Sequence, residues 1–354
     1  MRILTGIKPT GELHLGNYVG AMRPVLDLLQ SETGAAENSE NAKSSVPPGF
    51  LFIADGHALT SVSDGAAMRQ MTRSVAAAWM AMGLDPEKVL FYRQSAVPQV
   101  FELFWILSCV CPKGLMNRAH AYKAVVQPRQ EASEEDIDRD VMMGLFNYPV
   151  LMAADILLFQ AHKVPVGPDQ LQHVEIARDL ALKFNQAFGE VFPLPEASIP
   201  KAVPTLTGLD GRKMSKSYNN VIPLFADSKK LKSLIAKIKT NSQTPDEPKE
   251  TEGCALFQLY QVFASADQVK AMRARYAGGI GWADVKAQVF QVVDEALAAK
   301  RARYDALMAD PKQIDNMLQA GEQRAFLLAE RLMEKVRRRV GFEPRPLSVW
   351  PPKA

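Results

Sequence analysis

Short runs of consecutive apolar residues alternate with longer stretches whose apolar positions recur every three or four residues. This alternation governs the first half of the chain. "RILTGI" (2–7) reads as a strand and leads to a helix from about Gly16 to Leu29. "FLFIADG" (50–56) reads as a second strand, and "AAMRQMTRSVAAAWMAMG" (66–83) as a helix closed by Gly83. "KVLFYRQS" (88–95) is the next strand. "HKVPVGPDQ" (162–170) is a short strand meeting a Gly-Pro-Asp turn, ahead of the helix "LQHVEIARDLALKFNQAFG". Strands separated by helices of this length imply βαβ units and a parallel sheet. In such sheets ligands sit at the C-terminal strand ends, and three of these ends run into turns rich in Gly, Pro or Asp. Beyond Leu206 strand signals fade and helical periods take over, as in "WADVKAQVFQVVDEALAAKRARYDALMA", where Trp282, Val285, Val289, Val292, Ala296 and Leu297 share one face. The expected fold is α/β, a doubly wound parallel sheet with a C-terminal helical domain. The expected division is a sheet domain over 1–205, a loop over 206–225 and a helical domain over 226–354, its last helix free to pack back on the first domain.

Three polar segments break the pattern. Residues 31–49 carry almost no apolar side chain and read as a mobile insert, and 127–140 and 240–253 look mobile as well. The tail from Val336 begins as a basic helix end.

Composition adds boundaries. The chain has 354 residues, 47% hydrophobic and 23% charged, which is ordinary for a globular protein. A net charge of +3 is too small to argue for nucleic acid by itself, although a local basic surface can exist. Gly6 interrupts the first apolar run, so no signal-peptide core forms there. The longest apolar stretch, "VFELFWILSCVC", is about half of a membrane span and contains Glu102. A cytoplasmic protein is expected, with no membrane partner. Cys109, Cys111 and Cys254 fit reduced thiols, and no structural metal is expected.

The candidate chemistry begins at "GIKPTGELHLGNYVGAM" (6–22). A strand, a glycine-containing turn and a helix start together form an anion site, because free backbone amides and the helix dipole point outward. Lys8 adds charge, Thr10 a hydroxyl, and Pro9 stiffness. Gly16 lets a ligand approach the backbone. His14 and Asn17 stand three apart and can face one ligand, although a lone histidine there also fits a helix cap. Farther on, "GLDGRKMSKSYNN" places Lys213, Met214, Ser215, Lys216 and Ser217 in a turn. Two lysines and two serines in a loop suit a polyphosphate whose charge grows during reaction, and also suit a solvated basic loop. In "NYPVLMAADILLF" (147–159), Tyr148, Met152 and Asp155 fall on one helix face among apolar neighbours. A carboxylate there needs a donor. Read from the residues alone, a cap or a buried ion pair serves Asp155 as well as a ligand does.

These motifs resemble those of class I aminoacyl-tRNA synthetases. "HLGN" stands where that class carries its HIGH signature, and "KMSKS" is its second signature unaltered. Asn17 in place of the second histidine is common in the tryptophanyl branch. "YPVLMAADIL", "VPVGPDQLQHVEIARDLA" and "ADGHALT" resemble segments of that branch too. The resemblance runs from about Leu4 to Arg339. It implies a Rossmann-like catalytic domain, with ATP held by Lys8, Pro9, Thr10, Gly16, Asn17, Gly167, Pro168, Asp169, Leu206 and the stretch Lys213, Met214, Ser215, Lys216 and Ser217. It implies that Asp155 takes the indole N–H of tryptophan, with Met152 packed on the ring. Tyr148, Gln170, His57, Val164 and Val166 complete that pocket, Gln170 near the α-amino or carboxylate end. Lys8 and Pro168 depart from a glutamine and a glutamate common in the branch.

The activity so implied is tryptophan–tRNA ligation, with His14, Asn17, Lys213 and Lys216 as the catalytic groups. L-Tryptophan attacks ATP to give tryptophanyl-adenylate, and the aminoacyl group then passes to tRNA(Trp). Mg²⁺ is expected with the ATP, and a homodimer is expected from the resemblance. Two alternatives stand beside this reading. A tyrosyl-tRNA synthetase would need polar partners for a phenol. A non-catalytic paralogue binding tRNA or sensing tryptophan would have no need of both lysines.

Overall fold

The computed structural model of the chain describes residues 2–9, 11–37, 47–199 and 205–343, and the side chains of 32–37 are not among them. Strand β1 (Ile3–Ile7) leads through a turn to α1 (Leu15–Asn17), which passes through a π-helical segment, Tyr18–Met22, into α2 (Arg23–Glu37). The helix therefore runs on to Glu37, well into the polar segment expected to be a mobile insert. Residues 38–46 of that segment lie outside the described residues. Next come β2 (Gly49–Ile53), α3 (Asp55–Ala58), α4 (Gly65–Ala81) and β3 (Leu90–Arg93). The chain continues through α5 (Gln99–Val110), α6 (Lys113–Met116), α7 (His120–Glu131) and α8 (Met143–Leu158) to β4 (Lys163–Pro165). Helix α9 (Leu171–Phe188) precedes β5 (Glu196–Ser198), a short strand with no apolar run to announce it.

The five strands form one parallel sheet in the order β3-β2-β1-β4-β5. β2 is buried throughout, which is why "GFLFI" reads as a continuous apolar run. Strand periodicity divides its side chains: Phe50 and Phe52 join a core with α5, α8 and α9, while Leu51 and Ile53 join a core with α2 and α4. β1 pairs with β2 over its whole length, from Ile3 with Gly49 to Ile7 with Ile53. With β4 it pairs only at Ile3 and Lys163. The two central strands therefore part toward their C-terminal ends and open a crevice at the switch in strand order.

The helical part comprises α10 (Ser228–Ala236), α11 (Ala255–Phe263), α12 (Ala266–Gly278), α13 (Trp282–Ala309) and α14 (Pro311–Arg339). The last helix crosses from one core to the other. Ile314 and Leu318 belong to the core shared with α10–α13, whereas Ala325, Ala329, Leu332, Met333 and Val336 belong to the core of α5, α8 and α9. Where it passes β3, an edge strand, the backbones nearly touch. A Cβ on Gly321 would lie 1.9 Å from the carbonyl oxygen of Phe91, so only glycine fits.

The other polar segments are held by hydrogen bonds that composition conceals. In 127–140, Arg129 donates to the carbonyls of Ile137 and Arg139, and the Tyr122 hydroxyl donates to Asp138. In 240–253 the buried Lys249 ammonium donates to the carbonyls of Thr244 and Glu247 and lies over the Trp282 ring. Among the described residues no helix is long and apolar enough to cross a membrane.

Candidate active site

The first turn is built on His14, the N-cap of α1. Its backbone N–H donates to Asn17 Oδ1 at 3.1 Å, so the asparagine closes the turn. The Leu15 N–H donates to Ile222 O, and the Leu224 N–H to Leu13 O, both at 2.9 Å. These bonds stitch the turn to the segment just after KMSKS. The His14 ring is buried, and its Nδ1 has no partner among the described residues. Burial, with the nearby positive Lys216, pushes its pKa down to about 4. The imidazole is therefore neutral near pH 7, a hydrogen-bonding group and not a cation.

The KMSKS turn rests on Asn220. Its side-chain oxygen accepts from the Ser215 N–H at 2.8 Å, and its amide donates to Lys213 O at 3.0 Å and Asp210 Oδ1 at 2.7 Å. The Met214 N–H donates to Leu206 O at 2.9 Å. Both of these side chains are buried, so Leu206 serves the core through its side chain and the loop through its carbonyl. The Met214 sulfur lies 3.5 Å from where a Cβ on Gly16 would stand, and the Lys216 ammonium 3.2 Å from the same point on Gly11. The loop thus lies against the first turn. Desolvation there lowers the Lys216 pKa, and Glu12 opposes the shift. Lys213, Lys216 and Ser217 are exposed, and the Ser215 and Ser217 hydroxyls are 2.8 Å apart. Pro9 is buried, and Thr10 lies outside the described residues.

Beside these turns the crevice between β1 and β4 widens into a cavity of about 630 Å³. His57, Tyr148, Met152, Asp155, Val164, Val166 and Gln170 all line it, with Lys8 and Gly167. His14, Gly16, Asn17, Pro168, Asp169 and the KMSKS residues do not. Pro168 and Asp169 sit in a 3₁₀ turn at its rim, where Asp169 accepts from the Gln170 amide at 2.9 Å. The Lys8 ammonium donates to Thr60 Oγ1 at 2.8 Å, and burial lowers its pKa. The Tyr148 hydroxyl lies 2.7 Å from His173 Nε2.

Asp155 is 1% exposed on an otherwise apolar helix face. Its Oδ2 lies 2.9 Å from His57 Nε2, and Gln94 Nε2 lies 2.8 Å from Oδ1 and 2.9 Å from Oδ2. Burial pushes the Asp155 carboxyl above its usual range, opposed by these two donors. Sequence reasoning passed over two residues here. Gln94 is the first residue after β3, and a polar residue at the C-terminal end of a parallel strand is the signal that could have found it. Gly20, in the π-helical segment, lines the cavity one turn beyond Gly16.

Among the described residues no three His, Cys, Asp or Glu side chains are grouped to hold a metal. The site offers neutral and cationic hydrogen-bond donors around an apolar cavity floored by one carboxylate. Such an arrangement can orient an amphipathic aromatic molecule against a polyphosphate.

Comparison with known proteins gives one answer. The model of the family described as tRNA synthetases class I (W and Y) matches residues 1–298. A protein of Xanthomonas campestris pathovar campestris named tryptophan–tRNA ligase is 53% identical over 321 residues, covering 90% of this chain and 71% of its own. One of the same name from Neisseria meningitidis is 48% identical, covering 97% of this chain and 98% of its own. The crystal structure of the Campylobacter jejuni tryptophanyl-tRNA synthetase, complexed with ADP and tryptophan, superposes with a TM-score of 0.84 at 40% identity, over 97% of this chain and 100% of that one.

Proposed function

The chain belongs to the class I tRNA synthetases of the W and Y type, and from its likeness to the tryptophan-specific members we infer that it is a tryptophan–tRNA ligase. It activates L-tryptophan with ATP to tryptophanyl-adenylate, releasing pyrophosphate, and transfers the tryptophanyl group to tRNA(Trp), releasing AMP. The attacking carboxylate of tryptophan is already ionised, so no protein nucleophile or strong general base is required. Catalysis comes from orientation and from charge set against the transition state.

We propose the following roles. Asp155 accepts the indole N–H, a group that only donates and so selects a fixed acceptor. Met152, His57, Val164 and Val166 enclose the ring, and Tyr148 and Gln170 face its amino-acid end. Lys8, Pro9, Thr10, Gly16, Asn17, Gly167, Pro168, Asp169, Leu206 and the stretch from Lys213 to Ser217 surround ATP. Neutral His14 and Asn17 hold phosphates from one side, and Lys213 and Lys216 draw off the developing pyrophosphate charge from the other. Mg²⁺ accompanies ATP and shields its phosphates, consistent with its usual preference for substrate phosphates over an all-protein cage. The helical part beyond residue 226 faces tRNA. A cytoplasmic homodimer fits the exposed apolar side chains of Phe101 and Trp105 on α5.

The observation that carries the amino-acid assignment is the buried carboxylate of Asp155 on the wall of an apolar cavity, the one acidic side chain among the described residues that line it. ATP–pyrophosphate exchange with each amino acid in turn tests it. Exchange should depend on tryptophan and be weak with tyrosine or phenylalanine. Equal exchange with tyrosine overturns the assignment, and no exchange with any amino acid points to a non-catalytic paralogue.

A further inference from the structure

Gln94 is fully buried and does not line the cavity, yet its whole side chain is committed to it. The amide nitrogen reaches both oxygens of Asp155, and the amide oxygen accepts the backbone N–H of His57 at 3.2 Å. Room for this is made by Gly56, where a Cβ would stand 2.7 Å from Gln94 Oε1 and 3.1 Å from the Phe101 ring. Both sequence neighbours of Gln94 are anchored. Arg93 is gripped by the two oxygens of Glu322 on α14, and Ser95 donates through its N–H and its hydroxyl to Asp55. A long side chain held at both ends from a backbone pinned on both sides has little freedom to drift.

A carboxylate offers about two acceptor directions on each oxygen. Oδ2 meets both Gln94 and His57. Oδ1 meets Gln94 alone among the described residues. We infer that Gln94 is a positioning residue for tryptophan selection, holding the Asp155 carboxylate so that Oδ1 turns its remaining acceptor direction to the indole N–H. The inference rests on the assignment of Asp155 to the indole. It also gives His57 the tautomer with its proton on Nε2, the form that donates to Oδ2.

The ionisable surroundings of Asp155 fix the sign of the test. His57 and Asp55 face it from α3 and Tyr92 from β3, while Tyr148 on α8 and His173 on α9 form a hydrogen-bonded pair beyond His57. Of the two donors to the carboxylate, only Gln94 cannot titrate. Replacing it with Met removes a donor from a buried charge, so the carboxylate binds protons at higher pH than before. Tryptophan recognition then fails most at low pH and recovers as pH rises. Replacing it with Glu keeps the shape and the acceptor for the His57 N–H. At low pH the new carboxyl and Asp155 share a proton, whereas at high pH both ionise and repel. Recognition then fails most at high pH.

The experiment measures exchange kinetics for wild type, Gln94→Met and Gln94→Glu between about pH 6 and 9, varying tryptophan and ATP separately. KM for tryptophan should rise roughly tenfold in Gln94→Met, as for loss of one hydrogen bond to a charged group, with KM for ATP unchanged. Discrimination against phenylalanine should fall by a similar factor. Relative to wild type, the two variants should slope oppositely with pH. Parallel or flat slopes, or equal changes in both KM values, overturn the inference and leave Gln94 a packing residue. Because Gln94→Glu is nearly isosteric, it keeps the test open if Gln94→Met does not fold. Asp155→Ala, which leaves no acceptor at that position, assayed alongside, separates the two claims. If it keeps wild-type selectivity, the indole assignment itself is wrong. If it loses selectivity while the Gln94 variants behave as wild type, only the role of Gln94 is wrong.

Discussion

Both lysines of the loop are exposed, but the Lys216 ammonium lies over the first turn and is partly desolvated there. Charge moves toward pyrophosphate only as the bond to the α-phosphorus breaks, so a cation placed there acts more on the transition state than on bound ATP. Lys216→Ala should therefore slow adenylate formation by about 3–4 kcal/mol, by analogy with loss of one fixed donor to a developing charge. Pre-steady-state measurements should show a smaller rise in the ATP dissociation constant and almost no change for tryptophan. Unchanged rates with weaker ATP binding would make the lysine a ground-state clamp. His14 yields a pH prediction. Its pKa is about 4 in the folded protein, below the ordinary histidine value of 6.5. Between these values the unfolded chain binds the proton more readily, so stability falls as pH drops from about 6.5 toward 4. His14→Gln should flatten this limb in melting curves recorded across that range. The flattening will be partial, because burial depresses His173 in the same direction.

Elements differed in how plainly the sequence announced them. β2 was legible because a strand buried on both faces reads as an unbroken apolar run, β1 and β3 because such a run begins each of them, and the helices between them because one stripe faces the sheet. β5 was not legible. Its three residues pair with β4 through backbone groups alone, and nothing in "EAS" reports that. The first helix outruns its apolar stripe for a related reason: composition beyond Leu29 is polar and suggests a loop, yet the helix continues to Glu37. In the site, HLGN, KMSKS and the Asp155 helix stood out as strings. The role of Gln94 did not, since it depends on contact with a residue 61 positions away. The sequence leaves room for the last helix to pack back on the sheet but does not say where, although one residue marks the crossing of α14 over β3. Gly321→Ala would drive a methyl group into the Phe91 backbone, which cannot swing aside as a side chain could. Overpacking costs typically 1–3 kcal/mol, and this contact should reach about the upper value. A shift of the urea midpoint at constant slope would measure it.

At the scale of the whole molecule, α14 contributes to both cores, and ion pairs fasten it to the sheet. Glu322 holds Arg93 at the end of β3, Asp315 holds Arg73 on α4, and Arg337 is shared between Glu102 on α5 and Glu330 on its own helix. Sheet and helical region should therefore unfold together. Fluorescence of Trp79 on the sheet side and Trp282 in the helical part, each as a single reporter, should give coincident urea transitions. Two separated transitions would show the parts to be independent units. The same helix bears on how the protein is made. Arg93 and Glu322 are 229 residues apart. At about 5–20 residues per second of synthesis, the partner of β3 leaves the ribosome roughly 10–45 s after the strand itself. For that interval an apolar strand has its outer backbone uncovered, the kind of edge on which neighbouring nascent chains can pair. Slow decoding anywhere between the two residues lengthens the exposure, so the yield of soluble protein should depend on translation speed in a stretch that holds the KMSKS loop and most of the helical region.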